Sequence, residues 1–245
     1  MASKLQMLKQ IYSFLAGVYP GNWQTRWGKT PYMSSFADQE DINNFVFSKG
    51  KFESVPGHVW ACIGLWMQLR RICPNLNKLV DSEEIYERLW AHDIGETEMG
   101  DISLAVKIHG RLDEGKMDER KDFIKLTSSL PSREAKLLLG WFDEFEGVSE
   151  KENLLETLVA RWVDNLQGDH FALVFGNDLS RHSETIEKIV KKRSAARSRA
   201  LVDYLGKSGK KRAANEVWEI TKAHIQIIQE AGIKINPAII KANEA

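Results

Sequence analysis

Apolar residues recur at three- and four-residue steps along most of this chain, and that pattern predicts helices almost throughout. In residues 3–18, Leu5, Leu8, Ile11, Tyr12 and Leu15 mark one face of an amphipathic helix. Residues 19–39 hold Pro20, Gly21, Gly28 and Pro31 among several aromatics and read as an ordered loop. Pro56-Gly57 is expected to break the chain ahead of a second helix over 58–72, which Pro74 and Asn75 end. A third helix starts near Asp81, Glu83 and Glu84, whose carboxylates suit a helix N-terminus, and runs toward His92. Further helices are predicted over 132–145, 151–175, 183–204 and 215–231, with a linker at 206–209. There is no alternating strand pattern, internal repeat or low-complexity segment. The expected fold is an all-α bundle.

Composition adds bounds rather than chemistry. A chain of 245 residues with 43% hydrophobic and 28% charged residues is an ordinary globular protein. No run approaches the roughly 18 apolar residues that span a bilayer, so no membrane contact is expected. The first ten residues lack the apolar core of a secretory signal. Cys62 and Cys73 make no metal or redox spacing, and a reducing cytoplasm is the expected location. Net charge is zero, yet ten of the 34 basic residues and only two of the 34 acidic ones fall within 186–212. That tract reads as a solvated helix face or as a contact for a polyanion. The neutral total makes nucleic acid an unexpected partner.

The densest chemistry lies in Ala91-His92-Asp93-Ile94-Gly95-Glu96-Thr97-Glu98-Met99-Gly100-Asp101. Leu89, His92, Asp93 and Glu96 stand at helical spacing, which would put them on one face of the third helix, and Leu89 turns that face inward. Buried polar groups of this kind must pair with one another or coordinate an ion. An internal salt-bridge cluster and a metal site both satisfy that demand. His58 opens the second helix with Ala61, Cys62, Leu65, Leu69 and Ile72 on its face, so it also points to the core. It is either a satisfied core histidine or a third ligand.

The set His58, His92-Asp93 and Asp164 resembles the H…HD…D signature of HD-domain metal-dependent phosphohydrolases. Three segments are similar to the 5′-deoxynucleotidase branch, which reads E-x-V-x-E-H, H-D-x-x-E and G-D. They are Glu53-Ser54-Val55-Pro56-Gly57-His58, then His92-Asp93-Ile94-Gly95-Glu96, then Gly100-Asp101. The resemblance covers residues 44–176 and implies an HD-domain helical bundle. Its core would span 44–180, with 1–43 as an N-terminal helix and loop of the bundle and 181–245 as a C-terminal helical extension. It implies that His58, His92, Asp93 and Asp164 hold one divalent ion, with Mn, Co, Zn and Fe all compatible with these ligands. Asp164 lies nearly opposite the main apolar stripe of its helix, Leu155, Leu158, Val159, Trp162 and Leu166. A solvated Asp fits that position, and so does a helix buried on two sides. Asp169 is the fallback ligand.

By resemblance the ion polarises a phosphoryl group and activates a water, while Glu96 and Asp101 are the carboxylates that move protons. Asp101 also suits the N-cap of a following helix. Lys107 is placed to hold a phosphate oxygen, or is a surface lysine. The residues before Glu53 lack the branch's usual Arg or Arg-Trp segment, and Gly57 replaces the usual Glu before the first His. Arg26, Trp27 and Lys51 are the substitute candidates for substrate contact, with Phe45 or Phe47 stacking on a base. The implied substrate is a small phosphorylated metabolite, with a (deoxy)nucleoside 5′-monophosphate leading. A (deoxy)nucleoside triphosphate is the alternative within the class, and a nucleotide- or metal-binding protein with little turnover is the alternative outside it. Oxidative metal chemistry would need a larger histidine set, and His109, His170 and His182 have no ligand spacing. The tryptophans, Trp60, Trp66, Trp90, Trp141 and Trp162 among them, are expected in the core. Helices beyond Arg181 would extend the bundle, build a homo-oligomer contact or bring basic residues to the site.

Overall fold

The computed structural model describes residues 53–96, 112–148, 154–176, 179–236 and 239, with side chains of the 112–127 helix described from Glu119 onward and that of Phe175 left out. The helices are α1 (Val55–Ile72), α2 (Pro74–Asn77), α3 (Ser82–Ala91), α4 (Leu112–Thr127), α5 (Ser132–Glu146) and α6 (Leu155–Phe175). A 3₁₀ turn (Leu179–His182) leads to α7 (Ser183–Lys192), α8 (Ser194–Lys207) and α9 (Lys211–Glu230). The fold is all-α, as the apolar periodicity predicted. No helix of the described residues is long and apolar enough to cross a membrane.

Local chemistry explains where several helices begin and end. The Ser54 hydroxyl accepts from the Gly57 N–H at 3.1 Å and caps α1. Pro56 and Gly57 therefore lie inside the first turn rather than breaking the chain ahead of it. Proline is tolerated there because its missing N–H has no intrahelical acceptor anyway. Asp81 caps α3 by accepting from Glu83 N–H at 2.8 Å. Gly147, at φ 74°, closes α5 in the left-handed conformation, and Val148 N–H reaches back to Asp143 C=O at 2.8 Å.

Other boundaries differ from the periodicity. The predicted 183–204 helix is two helices that meet at Arg193, where ψ is −79°. The last helix starts at Lys211, four residues before the predicted Asn215, so the predicted 206–209 linker shrinks to a tight turn. The helix α4 has no counterpart in the periodicity, because its sequence is charge-rich and interrupted by Gly115. The predicted helix over 3–18 and the loop over 19–39 lie outside the described residues.

The centre of the molecule is α6. It packs against α1, α3, α5 and α8, and every residue from Thr157 to Gln167 is buried. Leu158, Val159, Trp162, Val163 and Leu166 join Trp66, Leu69, Ile85 and Leu89 in the main core. Leu201, Leu205, Ala213 and Val217 belong to the same core, so α8 and α9 extend the bundle. Glu216 on α9 also accepts the Asn75 and Leu76 N–H groups at 3.0 Å, capping α2. Trp60 departs from expectation: it is 79% exposed, whereas Trp66 and Trp162 are fully buried.

A helix buried on all sides must satisfy its polar groups internally. Thr157 accepts from Arg88 Nε at 3.0 Å, and Arg88 also donates to Glu144 at 2.8 Å and Glu84 at 3.1 Å. Arg161 donates to the carbonyls of Phe145 and Glu144 at 2.6 and 2.7 Å, holding the C-terminal end of α5. Arg88 and Arg161 thus bolt α3, α5 and α6 together. Replacing Arg88 by Met strands the buried Glu144 carboxylate and should cost about 3–5 kcal/mol in denaturant unfolding. Glu84→Ala, which removes the half-exposed partner of Arg88's other ion pair, should cost less than about 1 kcal/mol.

Candidate metal centre

His58 lies near the start of α1, four residues after the cap at Ser54, and is fully buried. Asp164 faces it from α6. His92 and Asp93 come from the end of α3. The helix stops at Ala91, with His92 at its C-cap. His92 N–H still bonds Arg88 C=O at 3.1 Å, after which the chain tightens: Ile94 N–H bonds Ala91 C=O at 3.3 Å and Glu96 N–H bonds Asp93 C=O at 3.0 Å. The expectation that His92, Asp93 and Glu96 share one helical face is therefore corrected. They lie on successive tight turns beyond the helix. Ile94 anchors that turn in a second apolar cluster with Phe123, Leu126, Leu130 and Phe142 of α4, α5 and their connection.

The four predicted ligands come together. His58 Nε2 is 3.0 Å from Asp164 Oδ1 and 3.5 Å from Asp93 Oδ2. His92 Nε2 is 3.2 Å from Asp93 Oδ1, 3.7 Å from Asp164 Oδ1 and 3.4 Å from His58 Nε2. All four residues are buried, Asp164 at 8% exposure. Asp164 is therefore not a solvated residue, since His58 of α1 and His92 at the end of α3 lie against its carboxylate. The fallback, Asp169, points elsewhere: it accepts from the Ser194 hydroxyl and lies 3.3 Å from His224 Nε2, joining α6 to α8 and α9.

Hydrogen bonds around the cluster decide which ring atoms face inward. Gln167 donates through Nε2 to Glu53 Oε1 at 2.7 Å. Its amide oxygen therefore faces His58 Nδ1, at 2.5 Å, and that nitrogen must donate. His92 Nδ1 donates in the same way to Leu89 C=O at 2.7 Å. Both rings thus turn Nε2 toward the carboxylates of Asp93 and Asp164. Two imidazole lone pairs and two carboxylates are four acceptors aimed at one another, and only a cation reconciles them. That cation is a proton on an imidazole or a metal ion with imidazole and carboxylate ligands. Two triads, His58/His92/Asp93 and His58/Cys62/Asp164, each bring their donor atoms within 4.8 Å of one another. The residues fit a divalent ion. Burial pushes the Asp164 carboxyl up, but hydrogen bonds and charge from His58 and His92 outweigh this and hold it well below the usual carboxylate range.

Several residues around the site were not singled out from the sequence. Gln167 is three positions after Asp164 on α6, so helical spacing puts it on the same side. Cys62, four after His58, brings its Sγ within 3.5 Å of His58 Nε2 and 3.7 Å of Nδ1. Phe145 packs its ring 4.4 Å from that of His92, a contact between α5 and α3 that no sequence spacing signals. Asn165 donates to Asp164 Oδ2 at 3.4 Å. Glu96 is buried at 7% exposure. Asp101, Lys107, Lys51, Arg26 and Trp27 lie outside the described residues.

Gly95 separates the metal-facing turn from Glu96. A Cβ there would stand 2.6 Å from the Glu119 carbonyl oxygen of α4, a backbone atom with little freedom to yield. Gly95→Ala should therefore push the turn off α4 and cost about 1–3 kcal/mol, as overpacked sites do. Urea unfolding of that variant beside wild type checks this.

The HD domain family model matches residues 44–204. The fold is also similar to the crystal structure of a predicted metal-dependent phosphohydrolase from Magnetospirillum magnetotacticum MS-1. That protein is 16% identical, with a TM-score of 0.56 and an alignment covering 94% of this chain and 100% of that one. No curated protein matches the sequence.

Proposed function

The chain belongs to the HD domain family, and on that premise we propose that it is a metal-dependent phosphohydrolase acting on a small phosphorylated metabolite. The observation that carries this reading is the convergence of four acceptor groups, His58 Nε2, His92 Nε2, Asp93 and Asp164, at one buried point. The activity in the name of the Magnetospirillum protein of like fold supports it. A (deoxy)nucleoside 5′-monophosphate is the leading substrate, on the strength of the Glu53…His58, His92-Asp93…Glu96 and Gly100-Asp101 pattern.

In this reading His58, His92, Asp93 and Asp164 hold one divalent ion. When bound, the ion supplies positive charge against the phosphoryl oxygens and makes an attacking water more acidic. The protein does the rest. Burial of the four ligands excludes competing solvent and keeps the two carboxylates directed at one point. Glu96, one tight turn past the ligating pair, accepts the proton of the attacking water, and Asp101 serves the leaving oxygen. Lys107, with Lys51, Arg26 and Trp27, holds the phosphate and the rest of the substrate.

Metal-free protein should gain hydrolysis on addition of Mn, Co or Zn when offered nucleoside mono- and triphosphates, with phosphate and pyrophosphate measured separately. Phosphate released from monophosphates supports the leading substrate, and release from triphosphates alone moves the assignment to them. No turnover with any metal would sink the enzymatic reading. Glu96→Ala should lower turnover by about 10²–10⁴-fold while retaining metal; a wild-type rate would remove Glu96 from proton transfer. Asp164→Ala should lose the metal-dependent rise in melting temperature that wild type shows. Asp169→Asn should keep it, and the reverse result would exchange the two residues' roles.

A further inference from the structure

Glu53 and Gln167 form a buried chain with the ligand His58, and neither of the two takes part in the proposed chemistry. Their exposures are 5%, 6% and 0%. Glu53 precedes α1, Gln167 belongs to α6 and His58 to the first turns of α1, so the chain links residues more than a hundred positions apart. Glu53 Oε1 accepts from Gln167 Nε2 at 2.7 Å, and that contact orients the amide. The oriented amide then presents its oxygen to His58 Nδ1 at 2.5 Å. A second arrangement, with the amide flipped, would set the Gln167 oxygen against the Glu53 carboxylate and the NH₂ against a ring nitrogen. It fails at the first contact, because two acceptors would face each other in a site with little water to separate them.

We propose that Glu53 and Gln167 are positioning residues that commit His58 Nδ1 as a donor and thereby present its Nε2 lone pair to the metal centre. The proposal rests on the metal-centre reading above and adds residues to it. The glutamine is a relay: it carries the direction set by the accepting Glu53 oxygen to the ring without placing a second charge against it. A carboxylate bound straight to Nδ1 would make the imidazole more basic. The intervening amide gives the same orientation with a smaller electronic effect, and it holds α1 to α6 across the site. The Glu53–Nδ1 separation of 3.7 Å puts the carboxylate close enough to contribute charge, with the amide making the shorter contact. The partner histidine is oriented differently, by the Leu89 carbonyl at 2.7 Å, so the two ligands do not share one orienting group. Loss of the relay therefore acts on His58 alone.

The test uses the full chain in two variants. Gln167→Leu removes both contacts at similar volume. The double exchange Glu53→Gln with Gln167→Glu keeps charge and hydrogen-bond count, because Gln at 53 donates to Glu at 167 and the second oxygen of that Glu accepts from Nδ1. Two readouts are taken. Co(II) is titrated against a chelating indicator, and the His58 ring N–H is followed by ¹⁵N-resolved NMR in metal-free protein. Gln167→Leu should bind Co(II) about 10–100-fold more weakly, the usual scale for an orienting partner of a ligand, and should lose the exchange-protected Nδ1–H signal. The double exchange should restore both. Wild-type affinity and an unchanged ring signal in Gln167→Leu would overturn the proposal, as would a folded double exchange that restores neither. If Gln167→Leu does not fold, the double exchange decides alone. Wild-type protein that binds no Co(II) would overturn the metal-centre reading instead, and the ring signal would still decide the relay.

Discussion

Surrounding one helix on all sides sets the terms for the rest of this structure. Every residue of α6 from Thr157 to Gln167 is buried, and five of those are polar or charged. Water cannot satisfy them, so other helices must. Arg161 holds the end of α5, Thr157 meets the Arg88 that also binds Glu144, Asn165 returns to its own backbone, and Asp164 and Gln167 meet His58. Helix packing and site assembly are therefore the same act. The side chains that pay for burying α6 also fix α1, α3 and α5 around it.

The candidate centre follows from that arrangement with one addition. At its middle the polar groups do not pair off as donor with acceptor. The Nδ1 atoms of His58 and His92 are spent on Gln167 and Leu89, which leaves two Nε2 atoms and two carboxylates facing each other. Arg88 and Glu144, by contrast, meet as donor and acceptor. Here the complement is left to a cation. The tight turn after Ala91 serves the same end. Ile94 and the bare Cα of Gly95 let it lie against α4, with Asp93 at the centre and Glu96 buried at the turn's far end.

How much of this could be read in the chain differs from residue to residue. His92-Asp93 and Glu96 stood out because unlike polar groups were dense in an apolar setting, and His58 because the apolar residues after it gave its face a direction. The helix periodicity behind the first inference was nonetheless too long. Tight i to i+3 bonds take over at Ala91, and a period of 3.6 does not register a helix that ends inside its own pattern. Asp164 was ambiguous because an amphipathic helix and a helix buried all round look alike when the second face is lined with small residues. The helix over 112–127 escaped for the opposite reason. Its residues are mostly charged, and packing against α5, including the Arg120–Asp143 pair at 2.7 Å, holds it in place.

The sequence by itself determined the all-α character, the polar clusters and the kind of ion they suit, because helical periodicity and ligand chemistry are properties of residues and short spacings. Only the tertiary structure decided that Asp164 and not Asp169 faces the histidines, and that α8 and α9 complete the core. It alone brought Glu53 and Gln167 together beside His58. Those outcomes depend on which side of a helix is covered and by what. Contacts between residues a hundred positions apart settle that, and no local pattern records it.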